Sequence, residues 1–129
     1  MIDVALLCLT LNVYHEARGE SFSGQFAVAH VTLNRAKRKA KNVCRVVYQK
    51  GQFSWVNDQL SNDMSDKKAK TRAMKVAFVS LLFSHWDITR GATYYHTKQV
   101  NPIWSGSLVK LCTIGNHVLY KESKHHAFY

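Results

Sequence analysis

Tyr14-His15-Glu16-Ala17-Arg18-Gly19-Glu20-Ser21 closes one apolar segment and opens another. Ahead of it, Leu6, Leu9 and Val13 form one apolar line at helical spacing, with Leu7, Leu11 and Tyr14 beside it. The spacing predicts a helix over residues 3–16, capped by Asp3 and stopped by Gly19. Its apolar face is wide, so the helix is expected to be central and buried. Glu16 then sits at the C-terminal end of that helix. There a carboxylate meets the negative end of the helix dipole beside an apolar face, and both effects favour the protonated form. A carboxyl held protonated beside a cleft is what a general acid requires. The structural alternative is a salt bridge from Arg18 to Glu16 or Glu20. A metal is not expected. His15-Glu16 starts like a helical HExxH zinc motif, but position 19 is glycine, and the seven histidines lack ligand spacing. No cofactor is called for.

Downstream, a second helix is predicted from Ser21 or Ser23 to about Lys39, apolar early and cationic late. Asn42 is the expected cap of a short helix through Val46 and Val47, which Gly51 ends. Residues 65–86 read as the longest helix, started by Ser65 or Asp66. After Gly91 the pattern changes. Thr93-Tyr94-Tyr95-His96 favours a strand, and residues 108–114 alternate. Gly115-Asn116 can then turn the chain into His117-Val118-Leu119-Tyr120-Lys121, as in an antiparallel hairpin. The expected fold class is α+β: a mainly helical domain with a small antiparallel sheet late in the chain.

At 129 residues, 47% of them hydrophobic, the chain is expected to form one folded domain spanning 1–129. Residues 4–14 are too short and too interrupted to span a bilayer. No secretory signal is evident, so synthesis in the cytoplasm is expected, with delivery to any outside target by other means. Three widely spaced cysteines, Cys8, Cys44 and Cys112, read as buried thiols rather than a disulfide framework. The net charge of +10, with basic runs at residues 35–41 and 67–72, suits a polyanion: nucleic acid, an anionic membrane face or an anionic wall polymer.

Four blocks together resemble one family. Residues 14–21, then Gly24-Gln25-Phe26-Ala27-Val28-Ala29-His30-Val31 and Leu33-Asn34-Arg35, form the first. Gly51-Gln52-Phe53-Ser54-Trp55 is the second. Gly91-Ala92-Thr93-Tyr94-Tyr95-His96 with Pro102 and Trp104 is the third, and Ile114-Gly115-Asn116-His117-Val118-Leu119-Tyr120 the fourth. In this order they resemble the SleB/CwlJ-type cell wall hydrolases, whose catalytic domain is similar to lysozyme-like lytic transglycosylases.

The resemblance implies peptidoglycan glycan strands as substrate and Glu16 as catalytic acid. In a transglycosylase that carboxylate protonates the glycosidic oxygen between N-acetylmuramic acid (MurNAc) and N-acetylglucosamine (GlcNAc). It then serves as base for the muramic C6 hydroxyl, leaving a 1,6-anhydro end. No second carboxylate is needed, which suits a chain with eight acids. A hydrolytic muramidase would need a partner acid, and Glu20 and Asp58 are the open choices. Substrate contacts are expected from Glu20, Gln52, Phe53, Ser54, Tyr95, His96 and Trp104. Tyr94 and Tyr95 must point to opposite sides of a strand, and Tyr95 with nearby His96 is expected to line the cleft. His117 is expected to be a satisfied buried histidine, and Arg18 to hold its loop. The family often carries a secretion signal and a separate wall-binding domain. A stand-alone basic domain looks phage-encoded, such as an endolysin acting on the host periplasm or a virion component, and is expected to be monomeric. An anionic envelope surface is a further candidate partner.

Three other classes compete. A nucleic-acid-binding domain would use the basic runs, predicts salt-dependent DNA binding, and leaves Glu16 and Gln52 without a role. A zinc amidase lacks its ligands. A wall-binding module with a dead site would bind peptidoglycan equally well as Glu16→Gln.

Overall fold

The computed structural model describes residues 2–49 and 64–123. Four α-helices come first: α1 Ile2–Ala17, α2 Phe22–Arg35, α3 Ala40–Val47 and α4 Lys67–Leu82. A small sheet follows, made of β1 Tyr94–Thr97, β2 Val109–Ile114 and β3 His117–Lys121, with a 3-10 turn over Ile103–Ser107 between β1 and β2. The fold is the expected α+β arrangement, mainly helical with a late antiparallel sheet.

α1 is the hub. Leu9, Val13 and Tyr14 are fully buried, against Val28 and Leu33 of α2, Val43 and Val47 of α3, and Ala73, Val76 and Ala77 of α4. Small residues on α4 let it approach α1 closely. Each fully buried Leu or Val here contributes roughly 1.5–3 kcal/mol. A second cluster, Ala27 and Val31 with Ala92 and Leu119, seats the sheet on α2.

The strand order is β1-β3-β2, all antiparallel. The expected β2–β3 hairpin is present, and Gly115 (φ 58°) supplies its turn. β1 pairs on the other side of β3, with Tyr95 opposite Leu119 and Thr97 opposite His117.

Helix ends differ from expectation where tertiary contacts outweigh local signals. α1 begins at Ile2, so Asp3 lies inside it rather than capping it. Ser21 and Asp66 do cap α2 and α4, accepting from the backbone N–H of Gly24 and Ala69. α2 stops at Arg35, short of Lys39, because Lys37 and Arg38 adopt positive φ (55° and 59°). That turn aims the Arg38 guanidinium at the carbonyls of Ser84 and Trp86 and at the Asn34 side chain, within 3.3 Å of Asp87. The cap of α3 is Lys39, not Asn42, whose amide instead donates to the Ala36 carbonyl. α4 ends at Leu82 rather than at Trp86.

The reading of three isolated thiols is corrected. Cys8 of α1 and Cys44 of α3 form a disulfide with Cα atoms 5.2 Å apart, and Cys112 is a free thiol. The two cysteines lie 36 residues apart, and only the packing of α3 on α1 brings them together.

Candidate functional site

Glu16 occupies the last turn of α1, half-buried where the helix leaves the core. Tyr95, in the middle of β1, donates its hydroxyl proton to Glu16 Oε1 at 2.7 Å. Burial first, and the Glu16 charge and hydrogen bond next, push the Tyr95 hydroxyl well above its usual pKa. The phenol therefore keeps its proton and acts as a donor.

Behind Tyr95 lies His117. Their rings meet edge to face at 5.1 Å between centroids. His117 is buried, as expected, but it is not satisfied: neither ring nitrogen has a hydrogen-bond partner among the described residues. Its Nδ1 lies 3.7 Å from Glu20 Oε1, too long for a hydrogen bond but close enough for attraction. Burial lowers the His117 pKa and the Glu20 charge opposes it, with burial the larger effect. The ring is neutral near pH 7 on that account.

Glu20 sits between two backbones. Its Oε1 accepts the Asn116 N–H at 3.2 Å, from the turn between β2 and β3. A Cβ at Gly24 would lie 2.9 Å from that oxygen, and one at Gly115 would lie 3.4 Å from it. Gly24 thus leaves the carboxylate its room, whereas 3.4 Å is ordinary contact and Gly115 is called for by its positive φ of 58°. The Gln25 amide holds the Glu20 carbonyl at 3.1 Å. The loop Arg18-Gly19-Glu20 is pinned further by the Arg18 guanidinium, which lies 4.8 Å from the Tyr14 ring centroid. His15 faces burial first and the Arg18 charge second, both lowering its pKa.

The sequence-predicted residues divide into three groups. Glu16 and Tyr95 meet directly, and Glu20 reaches them through His117. His96 and Trp104 go elsewhere: successive strand residues alternate faces, so His96 points away from Tyr95. Its Nε2 lies 2.9 Å from the Tyr120 hydroxyl, and its ring packs on Trp104 and Tyr120. Trp104 completes an aromatic cluster with Tyr94 and Tyr120 on that outer face. The expected pairing of Tyr95 and His96 in one cleft is therefore not found. Gln52, Phe53 and Ser54, with Asp58, lie outside the described residues.

Sequence reasoning missed the Glu20–Asn116 seat and the His117–Tyr95 contact. The available signal for the second was strand alternation, which puts His117 on the Leu119 side of β3, the side Tyr95 faces. Among the described residues no group of three His, Cys, Asp or Glu could hold a metal ion. A hollow of about 560 Å³ on the Tyr94 side is lined by Arg35, Lys37, Tyr94, Lys121 and Glu122 and does not include Glu16.

A match to the Cell Wall Hydrolase family covers residues 19–120, most of the chain. The chain belongs to that family. Among similar family proteins, a spore cortex-lytic enzyme of Halalkalibacterium halodurans is 34% identical over 82% of this chain and 31% of that protein. One from Bacillus cereus is 33% identical over 84% of this chain and 41% of that protein. The chain thus spans well under half the length of these relatives. The solved catalytic domain of the germination-specific lytic transglycosylase SleB from Bacillus anthracis superposes with a TM-score of 0.71 at 28% identity, covering 91% of this chain and 93% of that one. The helical domain with a late three-stranded sheet is therefore the architecture of a Cell Wall Hydrolase catalytic domain.

Proposed function

We propose that the chain cleaves the β-1,4 bond between MurNAc and GlcNAc in peptidoglycan as a lytic transglycosylase, with Glu16 as acid and then base. The observation that carries this reading is the 2.7 Å contact between Tyr95 and Glu16. It holds the Glu16 carboxyl at the edge of the core with a protonated phenol donating to Oε1. Protonated Glu16 gives its proton to the glycosidic oxygen as the bond to the muramic anomeric carbon breaks. Positive charge develops on the sugar ring, and the carboxylate now formed lies beside it. The same carboxylate takes the proton from the muramic C6 hydroxyl, whose oxygen closes on the anomeric carbon. The products are a 1,6-anhydroMurNAc end and a GlcNAc hydroxyl, with no water consumed.

The engagement of Glu20 with the hairpin turn favours this single-acid route over hydrolysis. A carboxylate accepting from Asn116 N–H and facing His117 is poorly placed to activate water. In this reading Glu20 positions the site rather than contacting sugar. The Cys8–Cys44 bond suits action in an oxidising compartment, where the cell wall lies. No described helix is long and apolar enough to cross a membrane.

The deciding experiment digests purified peptidoglycan with wild type and Glu16→Gln and reads the products by mass spectrometry. The proposal expects 1,6-anhydroMurNAc ends from wild type alone. Reducing muramic ends would identify water as the nucleophile and turn the reading to a hydrolytic muramidase. No cleavage by wild type would overturn the enzymatic reading.

A further inference from the structure

Helix α4 carries Lys67, Lys68, Lys70, Arg72 and Lys75 within its first nine residues and no carboxylate along its length. The rest is mainly apolar. Ala69, Ala73, Val76, Ala77 and Ser80 turn inward to the core. On the outward side, Met74, Phe78 and Leu82 recur every four residues and form one stripe. They are 40%, 48% and 61% exposed; just past the helix end Phe83 is 57% exposed, and Trp86, 43% exposed, also packs its ring on Phe26 and His30 of α2. Lys67, Lys68 and Lys75 are exposed on the same side by helical spacing. One outward face thus grades from cationic to apolar over about 24 Å. Its cationic start is tied to the core by the Asp66 N–H on the Tyr14 hydroxyl, and the apolar end lies at the other end of the helix.

A surface helix normally turns polar residues outward, and a contiguous apolar stripe marks an interaction surface. Charge and apolarity together select the partner. A nucleic acid would satisfy the lysines and leave Phe78 and Leu82 in water, and a polysaccharide, which can stack on a ring, would still leave Met74 and Leu82 uncovered. A second copy would set two cationic helices against each other in a chain of net charge +10. An anionic lipid leaflet satisfies both halves.

We propose that this face of α4 docks on anionic phospholipid, with Phe78, Leu82, Phe83 and Trp86 in the boundary between headgroups and acyl chains and the lysines over the headgroups. The surface shares no residue with the Glu16 site, so the docking and the cleavage chemistry stand or fall separately.

Co-sedimentation with phosphatidylglycerol-containing vesicles and with pure phosphatidylcholine vesicles tests this. Wild type is expected to bind the first, less so as salt rises, and to bind the second weakly. Phe78→Ser with Leu82→Ser is expected to weaken binding at least about tenfold at unchanged charge. Its thermal midpoint and its peptidoglycan activity should match wild type. Independently of that variant, brominated lipid should quench part of the wild-type tryptophan fluorescence, and Trp86→Phe should remove the quenched part. Three results would overturn the proposal: no binding to anionic vesicles, equal binding by the folded double-serine variant, or a lipid-free dimer that this variant disperses.

Discussion

Tyr95 reaches 79 residues back along the chain to place its hydroxyl 2.7 Å from Glu16 Oε1. The contact joins the C-terminal end of α1, where a carboxyl lies half-buried at the core edge, to the edge strand of a small sheet. It fixes where that carboxyl points through a single long-range donor.

Tyr95→Phe keeps the ring against His117 and removes the hydroxyl. The expected result is a fall in kcat of about 10- to 100-fold, with KM little changed, because a positioned donor acts mainly on the transition state. Steady-state kinetics on soluble muropeptide strands measure the split. Stability should drop by about 1 kcal/mol, the usual net worth of one hydrogen bond.

Gly24→Ala puts a methyl group where the Glu20 carboxylate lies, 2.9 Å from Oε1. The carboxylate must leave the Asn116 N–H, and the turn between β2 and β3 loses its anchor. Stability should fall by about 1–3 kcal/mol. Glu20→Ala in the same background should then cost little more, since both changes break the same contact. Chemical denaturation of the two single variants and the double variant checks the non-additivity.

His30 supplies a pH dependence. Its Nδ1 accepts the Ile88 N–H at 3.1 Å, which fixes the neutral ring. Burial first, and the Arg38 charge second, lower its pKa to about 4, against the opposing pull of Asp87. The unfolded histidine, with an ordinary pKa near 6.5, binds a proton that the folded one refuses between those values. Stability is therefore fully present above about pH 6.5 and declines as pH falls toward about 4, by about 3 kcal/mol in all. His30→Gln should flatten that part of the curve in urea melts run from pH 7 to pH 4.

Reducing the Cys8–Cys44 bond frees a loop of 36 residues in the unfolded chain. In the chain-entropy account the loss of stability is about 4 kcal/mol. Thiol titration in denaturant should find one thiol per oxidised chain, from Cys112, and three after reduction. A Cys8→Ser variant should melt lower and lose its response to reductant.

Much of the helical frame is legible in the sequence because its signals are local. Ser21 and Asp66 cap α2 and α4 through their own side chains, and the apolar lines of α1 and α4 repeat at helical spacing. Gly115-Asn116 names its turn for a similar reason. Contacts that depend on distant partners were not legible. The Lys37–Arg38 turn exists because Arg38 binds carbonyls of Ser84 and Trp86, nearly fifty residues away. The Asp87 carboxyl shows the same dependence. Burial works to raise its pKa, while hydrogen bonds from Thr89, Asn34 and Gly91 outweigh that and hold it below the ordinary range. At the site, the place of Glu16 followed from where α1 had to stop. The direction of Glu20 across Gly19 did not, because its partner is 96 residues further on.

The order β1-β3-β2 has a consequence for how the chain comes into being. A ribosome that has passed residue 90 has made Glu16 and the four described helices, but neither Tyr95 nor the hairpin that seats Glu20. β3, the last described strand to emerge, is the middle of the sheet, so among the described strands β1 gains its partner only then. Closing such distant contacts is the slow part of folding. The contact between Glu16 and Tyr95 is therefore completed late, and a nascent or truncated chain carries the Glu16 carboxyl without the hydroxyl that donates to it.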